Sequence, residues 1–77
     1  MDCVSLRLRI EPKEIVFLSS IIEAYPGFAT IRTENPALGI VTLMISPSFY
    51  KEVKEIISEL QKLIDIRILS ESEARIN

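Results

Sequence analysis

The hydrophobic period of the chain changes in the order two, 3.6, two, two, 3.6, two, which reads as strand, helix, strand, strand, helix, strand. In residues 3–10, Val4, Leu6, Leu8 and Ile10 alternate with Ser5, Arg7 and Arg9, the pattern of a strand with one buried face. Glu11-Pro12-Lys13-Glu14 opens the first helix, since a proline in the first turn loses no hydrogen bond. Ile15, Leu18, Ile22 and Tyr25 form its apolar stripe, widened by Val16, Phe17 and Ile21, and Pro26-Gly27 stops it.

The second strand is predicted over residues 28–33, with Phe28, Thr30 and Arg32 on one face and Ala29, Ile31 and Thr33 on the other. Glu34-Asn35-Pro36-Ala37 is turn chemistry. The third strand covers residues 38–46, with Val41, Leu43 and Ile45 inward and Ile40, Thr42 and Met44 outward. Ser46-Pro47 reads as a cap followed by a first-turn proline. Phe49, Val53, Ile56, Leu60 and Leu63 then form the stripe of a second helix, opposite a mixed-charge face. The fourth strand is predicted over residues 64–69, with Ile64, Ile66 and Ile68 inward and Asp65, Arg67 and Leu69 outward. Residues 70–77 read as a frayed tail.

Two right-handed helical crossovers place both helices on one sheet face and give the strand order 4-1-3-2. The predicted fold class is α+β, a ferredoxin-like βαββαβ sandwich filling residues 1–77 as a single domain. The opposite sheet face stays open, and function is sought there.

Composition narrows the chemistry. The chain has 77 residues, 48% of them hydrophobic, and a formal net charge of −2. A domain this small gains from burying more surface through self-association. The acidic balance gives no global pull toward nucleic acid or anionic membrane. No apolar run is long enough to span a bilayer, and the acidic start, Met1-Asp2-Cys3, is not a signal peptide. The single cysteine fits a reducing cytoplasm. Abundant isoleucine and scarce amides fit a thermophilic source.

No histidine is present, so neither a His-activated nucleophile nor an imidazole metal site can be built from this chain. Gly27 and Gly39 are isolated, so there is no glycine-rich phosphate loop. Catalytic residues, metal and cofactor are all expected to be absent, and the chain is read as a non-enzyme.

What remains is the open face. It is expected to gather Arg7, Arg9, Arg32 and Arg67, four of five arginines, as candidate ligand-binding residues. It also collects Phe28, Ile40, Thr42, Met44 and Leu69 as a candidate interface. Asp65 and the Glu34 of a second subunit are candidate counter-charges for the arginines. RNA binding through such a sheet needs aromatics on the central strands. Only Phe28, on an outer strand, could stack a base here, so nucleic acid is the weakest of the partner readings.

The stretches Leu6-Arg7-Leu8, Glu11-Pro12-Lys13-Glu14-Ile15, Glu23-Ala24-Tyr25-Pro26-Gly27, Ile31-Arg32-Thr33 and Pro47 with Glu52-Val53-Lys54-Glu55-Ile56-Ile57 carry a resemblance. The chain resembles an uncharacterised family of small bacterial ACT-like domains, a domain of unknown function. The resemblance implies an ACT-like fold, a tendency to pair and no known activity. Amino-acid-binding ACT domains carry a glycine after the first strand, where this chain has Ile10-Glu11-Pro12-Lys13. The leading expectation is a non-enzymatic, self-associating module, a homodimer or larger, with a regulatory role. The second is sensing of a small anion, an amino acid or phosphate, at an oligomer interface.

Overall fold

A computed structural model describes residues 2–75. Four strands form one antiparallel sheet: β1 (Asp2–Ile10), β2 (Ala29–Asn35), β3 (Ile40–Ile45) and β4 (Ile66–Arg75). Two helices, α1 (Ile15–Glu23) and α2 (Tyr50–Leu60), cross between strands in the order β1-α1-β2-β3-α2-β4. The sheet order is β2-β3-β1-β4, the predicted order read from the other edge. The topology is the ferredoxin-like sandwich that the alternation implied.

The core follows strand parity. Leu6, Leu8 and Ile10 on β1 and Val41, Leu43 and Ile45 on β3 are buried against Leu18 and Ile22 of α1 and Val53, Ile57 and Leu60 of α2. These eleven buried side chains, with Ile66, form one cluster of twelve. At roughly 1.5–3 kcal/mol per buried aliphatic side chain, this cluster is the main force holding the layers together.

Each helix enters through a short 3-10 turn rather than directly. Pro12–Glu14 and Pro47–Phe49 form these turns. Ser46 precedes the second, but its hydroxyl makes no capping bond, so the prolines, not a side-chain cap, set the entry. Two helix-stripe expectations are corrected. Val16 and Phe17 do not widen the buried side of α1, and Val16 is 76% exposed, because at about 100° per residue it lies on the side of the helix opposite the buried Leu18. On α2, Ile57 joins Val53 and Leu60 in the core, whereas Leu63 lies past the helix end and is 74% exposed.

The sheet edges depart most from expectation. The strand β4 continues to Arg75, where a frayed tail from Ser70 was expected, and Asp2 to Arg7 pair with Arg75 to Ser70. The last two residues of that expected tail, 76–77, lie outside the described residues. The apolar alternation fails there because polar contacts replace it. Glu71, opposite the buried Leu6, accepts a hydrogen bond from Lys54 of α2 at 3.0 Å. A bulge precedes it: Leu8 pairs with Ile68 and Arg7 with Ser70, leaving Leu69 as the extra residue. The other edge is bulged too. Thr33 pairs with Val41 and Asn35 with Ile40, leaving Glu34 as the extra residue.

Candidate functional site

The register turns the open face into a lattice of cross-strand rows. One row runs Asn35, Ile40, Arg9, Arg67. The next runs Arg32, Thr42, Arg7, Ser70, and the third Thr30, Met44, Ser5, Ser72. All four predicted arginines are therefore on this face, but they divide into two sets rather than one cluster.

In the first set, Arg7 and Arg32 flank Thr42, which is only 8% exposed beneath them. Thr42 keeps its predicted outward position on the open face, with the two arginine-bearing strands on either side of it. Arg7 Nε lies 3.5 Å from Glu34 Oε2. The counter-charge predicted from a second subunit is supplied within the chain, because the β2 bulge inserts Glu34 and lets it reach β1. Both partners are substantially exposed, so the pair contributes at most about 1 kcal/mol. Beside it, Ser5, Thr30, Arg32, Thr42 and Met44 line a shallow depression of about 410 Å³.

In the second set, Arg9 faces Arg67 directly across the β1–β4 ladder, and neither makes an ion pair among the described residues. Like charges directly opposite on a sheet destabilise by a few tenths of a kcal/mol to about 1 kcal/mol. They line a cleft of about 320 Å³ with Glu11, Pro12, Leu38 and Asp65. Three loops build it: the turn after β1, the β2–β3 hairpin and the segment leading into β4. The hairpin is fixed by two bonds. Asn35 Oδ1 accepts from the Leu38 N–H at 3.1 Å, and the Ile10 N–H donates to the Gly39 carbonyl at 2.8 Å. On the third side, Gln61 Nε2 donates to the Ile66 carbonyl at 3.0 Å. Two guanidinium groups and two carboxylates line the cleft, so its formal charge sums to zero.

Of the predicted interface residues, Ile40 and Met44 are on the open face and half-buried, and Leu69 is exposed at the β4 bulge. Phe28 is not on this face. It precedes β2, and its ring stacks on Phe49 at 4.1 Å between centroids and meets Tyr25 at 5.3 Å, closing one end of the sandwich. The turn at Pro26-Gly27, with Gly27 at φ +85°, folds Phe28 back against the core. No aromatic side chain then remains on the open face among the described residues to stack a base.

The polar triad Tyr50, Lys54 and Glu71 was missed in the sequence, because it depends on β4 extending past Leu69. Hydrogen bonding from Tyr50 and then Lys54 holds the Glu71 carboxyl below the usual carboxylate range. The same bond raises Lys54, and bonding to Glu71 raises Tyr50. The Lys54 ammonium also sits 5.7 Å above the Tyr50 ring. These three groups are exposed enough to be a surface staple between α2 and β4 rather than a reaction centre. No carboxylate of known exposure is buried, and no metal-binding group of three His, Cys, Asp or Glu occurs among the described residues. None of the helices described is long and apolar enough to cross a membrane.

Comparison with known proteins gives a family but no activity. The family model described as Domain of unknown function (DUF4911) matches residues 8–64, from the middle of β1 through α2. No curated protein and no solved structure matches the chain. The chain belongs to the DUF4911 family.

Proposed function

We propose that this family member is a non-enzymatic, ACT-like module that pairs with a second copy of itself through the open sheet face. The observation that carries this reading is the contrast between the edges and the face. Both edge strands carry a bulge, at Leu69 and at Glu34, and a bulge twists an edge away from further strand pairing. Charged side chains accompany both: Arg67 and Glu71 on β4, Arg32 and Glu34 on β2. The face is different. Ile40 and Met44 stand on the open side of β3, one outward position either side of Thr42, with no element over them. A two-fold axis near Met44 stacks the two Met44 side chains centrally, with Arg7 and Arg32 one row away and Arg9 and Arg67 at the outer polar rim.

Light scattering coupled to size exclusion tests this. The expected mass is that of a dimer or larger at micromolar concentration. Ile40→Glu combined with Met44→Glu should give a folded monomer with unchanged circular dichroism. A strict monomer for the unaltered chain at high concentration overturns the reading.

A second reading has its own observation, the unpaired Arg9–Arg67 juxtaposition in the cleft. It supports binding of a small carboxylate or phosphate, whose charge would relieve the like-charge contact. Asp65 and Glu11 in the same cleft weaken that attraction. Under this reading phosphate or amino acids raise the melting temperature by mass action, and the response vanishes in Arg9→Ala with Arg67→Ala.

A further inference from the structure

A sizeable concavity lies on the other layer. A groove of about 590 Å³ runs between the helices, with Ile21, Ile56 and Leu60 at its base and Tyr25 and Leu63 at its sides. Phe17, one helical turn before Ile21 on the same face of α1, extends this side of the surface, and Tyr25 follows just past the helix end. Leu63 is the most exposed of the apolar lining side chains, and a large apolar residue left in water beside an apolar groove marks a contact surface.

The rim has a sign. Glu52, Glu55 and Glu59, spaced three and four apart, run down α2 along the groove. Lys62 at the end pairs with Glu59 at 3.3 Å, but both side chains are largely exposed, so the pair is strongly screened. Nothing basic faces them from α1, whose nine residues include no lysine or arginine.

We infer that this groove receives an amphipathic helix of a different protein, one whose apolar stripe is flanked by lysine or arginine. Charge excludes the nearest competitors. A second copy docked here by two-fold symmetry sets the same three glutamates against one another. An anionic membrane meets the same repulsion. A helix with leucine-like anchors at i, i+3, i+4 and i+7 fills the apolar floor and places its basic flanks against the glutamate stripe. From Glu52 to Leu60 the helical wall is about 12 Å long at 1.5 Å per residue, and Leu63 beyond the helix end lengthens it, so a partner helix of about three turns covers the groove. This face is separate from the open sheet face, so neither proposal depends on the other.

The probe is a synthetic three-turn helical peptide with a leucine stripe flanked by lysines, beside a twin with glutamates in place of the lysines. The expected result is saturable anisotropy for the lysine peptide only, with methyl NMR shifts at Ile21, Ile56 and Leu60 and none at Ile40 or Met44. Leu63→Asp should weaken binding roughly tenfold, the loss of one buried leucine. Because Leu63 is exposed, this variant keeps its fold. Glu52→Lys with Glu55→Lys and Glu59→Lys should reverse the preference to the glutamate twin. No binding, shifts confined to the sheet face, or an unchanged affinity in Leu63→Asp overturns the proposal. So does a dimer that Leu63→Asp dissociates, or binding to phosphatidylserine vesicles that exceeds binding to the peptide.

Discussion

Gly39→Ala is the substitution whose cost the structure specifies most closely. Gly39 is buried at the end of the β2–β3 hairpin with φ +74°, and a Cβ there would lie 1.8 Å from the Ile10 carbonyl oxygen. The opposing atom is backbone, so no side chain can swing aside, and the hairpin must move off β1. Left-handed φ costs an L-residue roughly 1–2 kcal/mol. Moving the hairpin breaks the Ile10 N–H bond to the Gly39 carbonyl, roughly 1 kcal/mol more, and loosens the packing of Ile10. The total is at least about 3 kcal/mol, a large share of the roughly 4–12 kcal/mol expected for a domain of this length. Gly27→Ala is the control. Gly27 has φ +85° but nothing within 4 Å of its missing Cβ, so it carries only the conformational part, about 1–2 kcal/mol. Urea unfolding separates the two. With a slope near 1 kcal/mol/M for a small domain, the midpoint should fall by about 3 M for Gly39→Ala and by about 1–2 M for Gly27→Ala. Equal shifts for the two variants would refute the argument that backbone contact, not φ alone, demands glycine at 39.

Removing residues 70–77 should destabilise the domain by about 2 kcal/mol or more, the net of several ladder bonds at roughly 0.5–1.5 kcal/mol each, and an unchanged melting curve would return this segment to a frayed tail. Glu71 is depressed in the fold, so its contribution is present above the ordinary carboxylate pKa and lost as pH falls through its lower folded value. The stability gap between the unaltered chain and Glu71→Gln, read by thermal scans, should therefore hold at neutral pH and close below about pH 4. Glu34→Gln should change stability by no more than about 1 kcal/mol, since its partner Arg7 is exposed; a much larger loss in chemical unfolding would mean that the bulge itself depends on that pair.

The fold was legible because β1, β3 and α2 obey simple periods. Leu6, Leu8 and Ile10 alternate cleanly, and Val41, Leu43 and Ile45 repeat the pattern, so the sheet order followed from handedness alone. Legibility failed wherever a polar contact or a bulge did the work of an apolar residue. Glu71 occupies a position facing the helices and is held there by Lys54, which no alternation rule anticipates. Leu69 and Glu34 each add one residue to a strand, and the added Glu34 gives Arg7 an internal partner. Phe28 has the right parity for the open face, but the turn at Gly27 directs its ring onto Phe49. The arginine-bearing face was readable from parity. The groove between the helices was not, because the stripes of α1 and α2 were assigned wholly to the core, whereas Leu63, Phe17 and Tyr25 remain in water.

The central position of β1 bears on how the chain is made. β1 is synthesised first but is flanked by β3 on one side and β4 on the other. When β3 and α2 have emerged from the ribosome, β1 already has one neighbour, while its other edge, with the backbone of Leu6, Leu8 and Ile10, still waits for the last strand. Closing that edge joins residues nearly a whole chain length apart, the slowest kind of contact to form. A nascent or stalled chain lacking β4 therefore presents an unprotected apolar strand, the species most prone to capture by a chaperone or to mispairing with another copy. The Lys54–Glu71 bond to α2 gives the arriving strand a polar anchor at its correct register.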